Sequence, residues 1–334
     1  MKYRKLGRTD IDVSVVCQGC WSIVTDDATW GSQNPADSIA AVRASLDAGV
    51  NFFDTAEGYG GGESEEILAR ALGPRLKDVV VASKLHLGPP PHAGRIRRAC
   101  DASLKRLGTD CIDLYQIHWP RPHMDIAEVL ATLAELKAAG KIRAAGVSNF
   151  GTSYLGDLLA AGCVESNQLC YSLLWRPIEH AVQPMCAANG MSILCYSPLA
   201  QGLLTGKFAS ADDVPEGRAR MRLFSKDRPQ SRHAESGCEG RTFAAIAEIR
   251  RICESSGVGM AEAALAWLLS RQAVASVIAG ARNARQARQN ACAGDLTLPP
   301  EILDALTAAT EAVKTCAGTN CDFWQSESRM ERDD

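Results

Sequence analysis

Short apolar runs alternate along this chain with longer stretches of helical periodicity. The runs that resemble strands lie near residues 16–20, 50–54, 79–84, 112–118, 143–149, 166–169, 192–196 and 274–279. Strands that alternate with helices are typical of βαβ units around a parallel sheet. Eight such units predict a closed (β/α)8 barrel of the TIM type, an α/β fold with eight parallel strands.

The length agrees with a single domain of this kind, because 334 residues exceed the roughly 250 of a typical barrel only by an amount that loops can absorb. We therefore expect one domain over residues 1–334. Residues 1–15 predict a β-hairpin that plugs the bottom of the barrel. Residues 199–240, after the seventh barrel strand, lose periodicity and predict a mobile loop over a ligand. Residues 316–334 are expected to form a C-terminal tail.

Composition excludes several classes of function. The net charge is -3 and the basic residues are dispersed, so we expect no nucleic-acid partner. No run of about 18 apolar residues is present, so we expect no membrane span. Residues 1–7 lack the apolar stretch of a secretory signal. Thirteen cysteines, an odd number, then indicate free thiols in a reducing cytoplasm.

Two cysteine pairs have spacings that redox or zinc sites also use. Cys17 and Cys20 form one pair, and Cys316 and Cys321 could supply a distant second pair. A structural zinc site needs four ligands at familiar spacings, and Cys17 and Cys20 lie in or just after a predicted strand. Buried thiols are therefore the preferred interpretation, and we expect no metal.

Polar side chains end three consecutive predicted strands. They are Asp54, Lys84 and His118. Strands of a parallel barrel end on one face, and neighbouring strands lie roughly 5 Å apart, so these three side chains can meet. Tyr59 follows Asp54 in a glycine-rich loop that would let the phenol fold back toward the barrel mouth. These four residues are our candidate catalytic set.

The four residue types suit protonation of a carbonyl oxygen. A free tyrosine titrates near 10, so Tyr59 donates its proton more readily beside an ammonium that stabilises the phenolate. Lys84 supplies that charge, and Asp54 keeps the ammonium protonated. His118 can hydrogen-bond the substrate oxygen and orient it. None of these side chains can supply a hydride, which implies a nicotinamide cofactor.

Later strand ends carry groups that fit such a cofactor. Neutral hydrogen-bonding groups for a carboxamide are Ser148, Asn149 and Gln168, and Tyr196 could stack on the nicotinamide ring. Ser197, the backbone of Leu199 to Leu203 and Lys207 offer donors to phosphates. Gly280 allows close approach, and Arg282 offers a guanidinium for a 2′-phosphate. We therefore expect NADPH rather than NADH.

The chain resembles the aldo-keto reductase superfamily over nearly its whole length. The motifs that carry the resemblance are NFFDTAEGYGGGESEEILARAL at 51–72, VVVASK at 79–84, DLYQIHWP at 113–120, GKIRAAGVSNF at 140–150, NQLCYSLL at 167–174, YSPLAQGLLTGK at 196–207 and VIAGARN at 277–283. The resemblance implies that Asp54, Tyr59, Lys84 and His118 form a catalytic tetrad, with NADP(H) bound extended across the barrel mouth. Further residues assigned to the cofactor site are Gly19, Trp21, Gly202, Gln286 and Asn290.

Departures from the family pattern are Ala279, where a proline commonly precedes the glycine, and Arg121, where an acidic residue is often found. Arg121 is interpreted either as a ligand of an anionic substrate group or, by preference, as a solvated loop residue. Among other residues near predicted strand ends, Trp21 and Trp119 are candidates for the substrate pocket, and His86 could lie near the site. Trp30, Trp175 and Trp324 are weaker pocket candidates, Trp267 is expected in the core, and His92, His123, His180 and His233 are expected at the surface.

These features predict an enzyme that reduces an aldehyde or ketone reversibly, with a small carbonyl compound as its substrate. The oligomeric state, monomer or homo-oligomer, is left open. Potassium-channel β subunits resemble the same fold and use bound nicotinamide largely for redox sensing, which is a second interpretation. A long partner-binding extension before the hairpin would favour it, and the chain starts almost at the hairpin. A hydrolase or isomerase on the same barrel is a third interpretation. It is disfavoured, because the sequence offers neither a metal set nor an activated nucleophile.

Overall fold

Eight parallel strands close a barrel in the computed structural model of the protein, which describes residues 1–89 and 91–332. The barrel strands are β3 (Val16–Gly19), β4 (Phe52–Asp54), β5 (Val80–Leu85), β6 (Ile112–Ile117), β7 (Ile142–Ser148), β8 (Ser166–Cys170), β9 (Ser192–Tyr196) and β10 (Val274–Gly280). Each pairs in parallel with the next, and β10 closes the ring on β3. The predicted eight-stranded barrel is confirmed, with strand limits within a few residues of those expected.

A two-stranded antiparallel hairpin closes the amino-terminal end of the barrel. Its strands are β1 (Tyr3–Lys5) and β2 (Asp12–Ser14). Leu6, Ile11 and Val13 are buried and pack with barrel-interior side chains such as Phe52. This apolar contact fills the bottom of the barrel, which confirms the predicted plug.

Helices cover the outside of the barrel. They are α1 (Pro35–Asp47), α2 (Glu63–Leu72), α3 (Ala93–Leu107), α4 (Ile126–Ala138), α5 (Thr152–Ala161), α6 (Val182–Ala188), α7 (Glu239–Ser256), α8 (Met260–Leu269), α9 (Ala284–Cys292), α10 (Pro300–Ala309) and α11 (Glu311–Ala317). Local signals set several of their ends: Asn34 Oδ1 accepts from the Ala36 amide, and Pro35 opens α1. Among the described helices, none combines the length and the apolar character needed to cross a bilayer.

A long connection, residues 197–238, joins β9 to α7 and corresponds to the loop expected at 199–240. It contains two short 3-10 turns, Ala200–Thr205 and Ala211–Asp213. Leu204, Met221 and Phe224 in this segment are buried against the main core. The connection is therefore anchored by apolar packing at several points, and its movement on ligand binding stays a prediction.

The C-terminal tail packs back onto the barrel. Asp322 is buried and accepts two hydrogen bonds from the Arg329 guanidinium, at 2.8 and 2.9 Å. Further along, the Glu331 carboxylate accepts from the amides of Thr152 and Ser153 at 2.7 Å each. These two amides belong to the first turn of α5, so the tail supplies that helix with its N-terminal cap.

All thirteen cysteines lie in the described residues and are free thiols. Cys17 and Cys20 are both buried, in agreement with the preferred interpretation of the sequence. One expectation for the histidines was wrong: His233 is buried, because the long connection folds inward around it. Within residues 1–89 and 91–332, no group of three or more His, Cys, Asp or Glu side chains has the arrangement of a metal site.

Candidate active site

The carboxyl ends of β4 and β5 bring Asp54 and Lys84 together. Lys84 Nζ donates to Asp54 Oδ1 at 2.6 Å and to the Thr55 carbonyl at 2.7 Å, and both charged side chains are buried. The second carboxylate oxygen, Oδ2, accepts from Gln168 Nε2 at 2.8 Å. Burial lowers the pKa of Lys84, but the charges of Asp54 and Tyr59 together raise it above the ordinary lysine value. The ammonium is therefore held charged beneath the barrel mouth.

The phenol of Tyr59 lies above this ion pair. The loop after β4 carries it back toward the mouth, with Gly60 and Gly61 at φ of 59° and 64°. Lys84 Nζ is 4.8 Å from the centre of the Tyr59 ring, and Trp21 stacks on the ring at 6.1 Å. Burial raises the pKa of Tyr59, and the Lys84 charge opposes this effect. Tyr59 therefore keeps its proton at neutral pH and can donate it.

His118 follows β6 and completes the convergence expected from the sequence. Its ring meets Tyr59 edge to face at 5.8 Å and stacks on His86 at 4.4 Å. Burial lowers the pKa of His118 well below the usual imidazole value, and the charges of Lys84 and His86 lower it further. His118 is therefore neutral at pH 7, and its buried Nδ1 has no hydrogen-bond partner among the described residues.

The ends of β7, β8 and β9 carry a second polar group of side chains. Asn149 adopts a left-handed backbone at φ of 63°, which an asparagine tolerates. Its Nδ2 donates to the His118 carbonyl at 3.1 Å, and its Oδ1 accepts from the Tyr196 hydroxyl at 2.9 Å. Ser148 Oγ donates to the Gln168 carbonyl at 3.0 Å. These bonds link the cofactor residues predicted from three separate strands.

One large cavity of about 1020 Å³ opens at this end of the barrel. Of the predicted catalytic residues, Asp54, Tyr59 and His118 line it, and Lys84 is fully buried beside them. All of the residues predicted to bind the cofactor line the cavity: Gly19, Trp21, Ser148, Asn149, Gln168, Tyr196, Ser197, Leu199, Gly202, Lys207, Gly280, Arg282, Gln286 and Asn290. Its volume suits a ligand of cofactor size.

The structure commits three of the five N–H donors of Arg282 to the protein itself. Nε donates to Gln33 Oε1 at 2.8 Å, Nη1 donates to the Trp30 carbonyl at 2.9 Å, and Nη2 donates to the Ser32 carbonyl. The charge of Arg282 still reaches the cavity, where it helps to lower the pKa of Lys207 after burial and Arg218. Arg121, in contrast, is exposed and is not among the residues that line the cavity.

Several residues that line the cavity are ones that the sequence did not place there. Trp21 and Trp119 line the cavity as expected, but Trp30 and Trp324 do so as well, and Trp175 and Trp267 are buried in the core. Basic residues from distant segments also reach the cavity: Arg218, Arg220, Arg232, Arg285 and Arg329. Residues 199–240 are rich in arginine, which was the sequence signal for a basic cavity. The local sequence does not show which of these side chains point into the cavity.

Comparison with known proteins identifies relatives for most of the chain. The model of the "Aldo/keto reductase family" matches residues 15–311. Aldo-keto reductase YhdN of Bacillus subtilis (strain 168) is 40% identical over 216 residues, which cover 62% of this chain and 65% of that protein, just under two thirds. The NADH-specific methylglyoxal reductase of Escherichia coli (strain K12) is 33% identical, over 92% of this chain and 99% of its own length. A probable voltage-gated potassium channel subunit beta of Oryza sativa subsp. japonica is 30% identical, over 93% of this chain and 97% of its own length.

Solved structures show the same likeness. The glycerol dehydrogenase AKR11B4 from Gluconobacter oxydans superposes with a TM-score of 0.79 at 29% identity, covering 95% of this chain and 96% of that one. An aldo/keto reductase from Klebsiella pneumoniae, solved in complex with NADP and acetate, has a TM-score of 0.69 at 30% identity, covering 89% and 91%.

Proposed function

The chain belongs to the aldo/keto reductase family, and from that premise we propose that it is an NADP(H)-dependent oxidoreductase that reduces an aldehyde or ketone to the alcohol and catalyses the reverse oxidation. The single observation that carries this proposal is the convergence of Asp54, Lys84, Tyr59 and His118 at one end of the barrel. We also propose that it works in the cytoplasm on a small carbonyl compound. Its oligomeric state is left open.

The roles of the four residues follow from their contacts. Tyr59 donates its proton to the carbonyl oxygen, and Lys84, 4.8 Å from the ring centre, stabilises the phenolate that remains. Asp54 positions the ammonium and keeps it charged through the 2.6 Å contact. His118, neutral at pH 7, is placed to donate a hydrogen bond to the same oxygen and orient it.

The residues present fit a nicotinamide cofactor. Both amide atoms of Gln201 are buried without a partner in the described structure, and the residue lines the cavity, so it offers a donor and an acceptor to a ligand bound there. When bound, the cofactor supplies the hydride that none of the side chains can provide. We propose that Ser148, Asn149 and Gln168 hold its carboxamide. We propose that Lys207, Arg218 and Arg285, which line the same cavity, bind its phosphates.

The test is loss of NADPH absorbance with a panel of aldehydes, ketones and aldoses, comparing the parent with Tyr59→Phe. We expect turnover by the parent and a loss of roughly 10²- to 10⁴-fold in Tyr59→Phe, the range typical of removing a general acid. Tyr59→Phe should still bind NADPH, because the phenol is not among its proposed ligands. Failure of the parent to bind NADPH, measured by fluorescence titration, would refute the proposal.

A second candidate function is redox sensing without multiple turnover. It rests on the similarity to the rice potassium channel subunit, which extends over 93% of this chain. Tight binding of NADPH with no more than one turnover on any carbonyl in the panel would favour it. Sustained turnover of a simple aldehyde would favour the reductase.

A further inference from the structure

Basic side chains outnumber acidic ones around the cavity. Of its described lining residues, seven are Lys or Arg and two, Asp54 and Glu262, are carboxylates. Asp54 is already neutralised by Lys84. The remaining positive charge exceeds what the lining carboxylates can balance, so the cavity as a whole favours anions.

Five of the seven basic residues fall into two sets by their electrostatic influence on one another. Lys207, Arg218 and Arg282 influence one another, since burial lowers the pKa of Lys207 and the charges of Arg218 and Arg282 lower it further. Arg220 and Arg232 form the other set. Burial lowers the pKa of Arg220, the charge of Arg232 lowers it again, and Asp27 opposes both effects. Lys207 and Arg218 of the first set are proposed phosphate ligands, and Arg282 is predicted to meet a 2′-phosphate, which leaves the second set without an assigned role.

Arg220 is held within the aromatic wall of the reaction site. Its Nη2 donates to Thr29 Oγ1 at 2.8 Å, and its guanidinium lies 5.0 Å from the centre of the Trp324 ring. Thr29 precedes Trp30, whose ring packs on Trp21 at 5.6 Å, and Trp21 stacks on the candidate proton donor. Arg220 is thus linked to that residue through two tryptophan rings.

The donors of Arg220 are not used up by the protein. Its Nε is buried and has no hydrogen-bond partner in the described part of the chain. Arg218 has the same feature at its Nε but belongs to the set beside Lys207, whereas Arg222 pairs with Glu235 and Arg228 pairs with Glu239. Neither Arg220 nor Arg232 has a carboxylate at ion-pair distance within residues 1–89 and 91–332. A buried guanidinium with a free donor is costly unless an anion completes it.

We propose that Arg220 and Arg232 form a subsite for an anionic group on the substrate, so that this enzyme prefers small carbonyl compounds that carry a carboxylate or a phosphate. This inference rests on the proposed reductase function. The planar guanidinium of Arg220 presents parallel N–H donors that suit either anion, and Arg232 at the exposed rim adds a second charge. The two arginines bind the anionic end while the carbonyl end reaches Tyr59 and His118.

The experiment compares charged and neutral members of two substrate pairs at saturating NADPH. The pairs are succinic semialdehyde with its methyl ester, and glyceraldehyde 3-phosphate with glyceraldehyde. The variants are Arg220→Gln, Arg220→Lys and Arg232→Gln. Arg98→Gln serves as the matched control, because Arg98 is an exposed arginine of α3 and is not among the residues that line the cavity. Affinity for NADPH is measured for every variant by fluorescence titration.

We expect the parent to show a higher kcat/KM for the charged member of at least one pair, and that pair identifies the anion as carboxylate or phosphate. Arg220→Gln should lose about 10- to 100-fold of this preference, as for a charge-assisted hydrogen bond. Arg232→Gln should lose less of the preference, because Arg232 is exposed. Arg220→Lys should keep part of the preference, and the control Arg98→Gln should keep all of it.

Equal kcat/KM for both members of each pair in the parent would overturn the proposal. So would a loss in Arg220→Gln that is explained by weaker binding of NADPH, because Arg220 would then be a ligand of the cofactor. Turnover of neutral aldehydes only would refute the subsite while leaving the reductase intact. Failure to turn over any carbonyl compound would instead refute the reductase itself.

Discussion

Lys84 donates to Asp54 across two adjacent strands at 2.6 Å, and the exposed fractions of the two side chains are 0% and 3%. A buried charge without its partner is strongly unfavourable, which makes this contact structural as well as chemical. The same ammonium lies 4.8 Å from the centre of the Tyr59 ring. One lysine therefore connects the stability of the barrel mouth with the acidity of the candidate proton donor.

Replacing Lys84 by methionine should lower the free energy of unfolding by about 3–5 kcal/mol, since it leaves the Asp54 carboxylate buried and unpaired. The matched control is Lys141→Met, which removes the exposed pair of Lys141 with Asp101 and should cost far less, because solvent screens that pair. Denaturant unfolding followed by circular dichroism measures both. Similar losses in the two variants would contradict the prediction.

The pH dependence of reduction should reflect the raised pKa of Tyr59. Reduction requires the protonated phenol, and burial keeps that proton in place to higher pH than in free tyrosine, which titrates near 10. We expect kcat/KM for reduction to stay level through neutral pH and to fall only above about pH 10. Initial rates in overlapping buffers test this, with Tyr59→Phe showing no such fall. A midpoint between pH 7 and 8 would refute it.

His118 should titrate below an ordinary histidine, because burial and the charges of Lys84 and His86 all lower its pKa. NMR of histidine-labelled protein should show its ring neutral at pH 6.5, the value at which free imidazole is half protonated. In His86→Phe the stacked ring stays but its charge is lost, so the pKa of His118 should rise. A pKa for His118 above 7 in the parent would contradict the proposed neutral donor, because the ring would then be mostly charged at pH 7.

Glu331→Ala should lower the free energy of unfolding by about 1–2 kcal/mol, the usual cost of losing an N-terminal helix cap. The carboxylate accepts from the Thr152 and Ser153 amides at the start of α5, where Gly151 has no side chain to do so. Glu327→Ala removes an exposed carboxylate from the same tail and is the control. Thermal unfolding of both variants measures the difference, which should vanish if the tail does not cap the helix.

Arg282→Gln separates two roles of one residue. If its charge recognises a 2′-phosphate, as the sequence predicts, the variant should lose about tenfold more affinity for NADPH than for NADH, as expected for one charge-assisted contact. If it only holds the Trp30 and Ser32 carbonyls, both cofactors should weaken equally. We expect the first result, and fluorescence titration with each cofactor decides between them.

The sequence alone determined the barrel and the candidate tetrad. The barrel follows from local properties of the sequence, which can be recognised before the fold is known. They are the periodicity of strands and helices, the positions of proline and glycine, and helix caps such as Asn34. The polar residues at strand ends were equally accessible, because parallel barrel strands all end on one face. The prediction that Asp54, Lys84 and His118 meet followed from their positions at the ends of three consecutive strands.

Only the tertiary structure decided which side chains from the long segments reach the cavity and what they bond there. Arg220 comes from the connection after β9, and Trp324 and Arg329 come from the tail. Arg282, predicted to read a phosphate, bonds the loop at residues 30–33, which lies about 250 positions earlier in the chain. Such contacts depend on packing between distant segments, and no local pattern encodes where a long flexible side chain will find its partner.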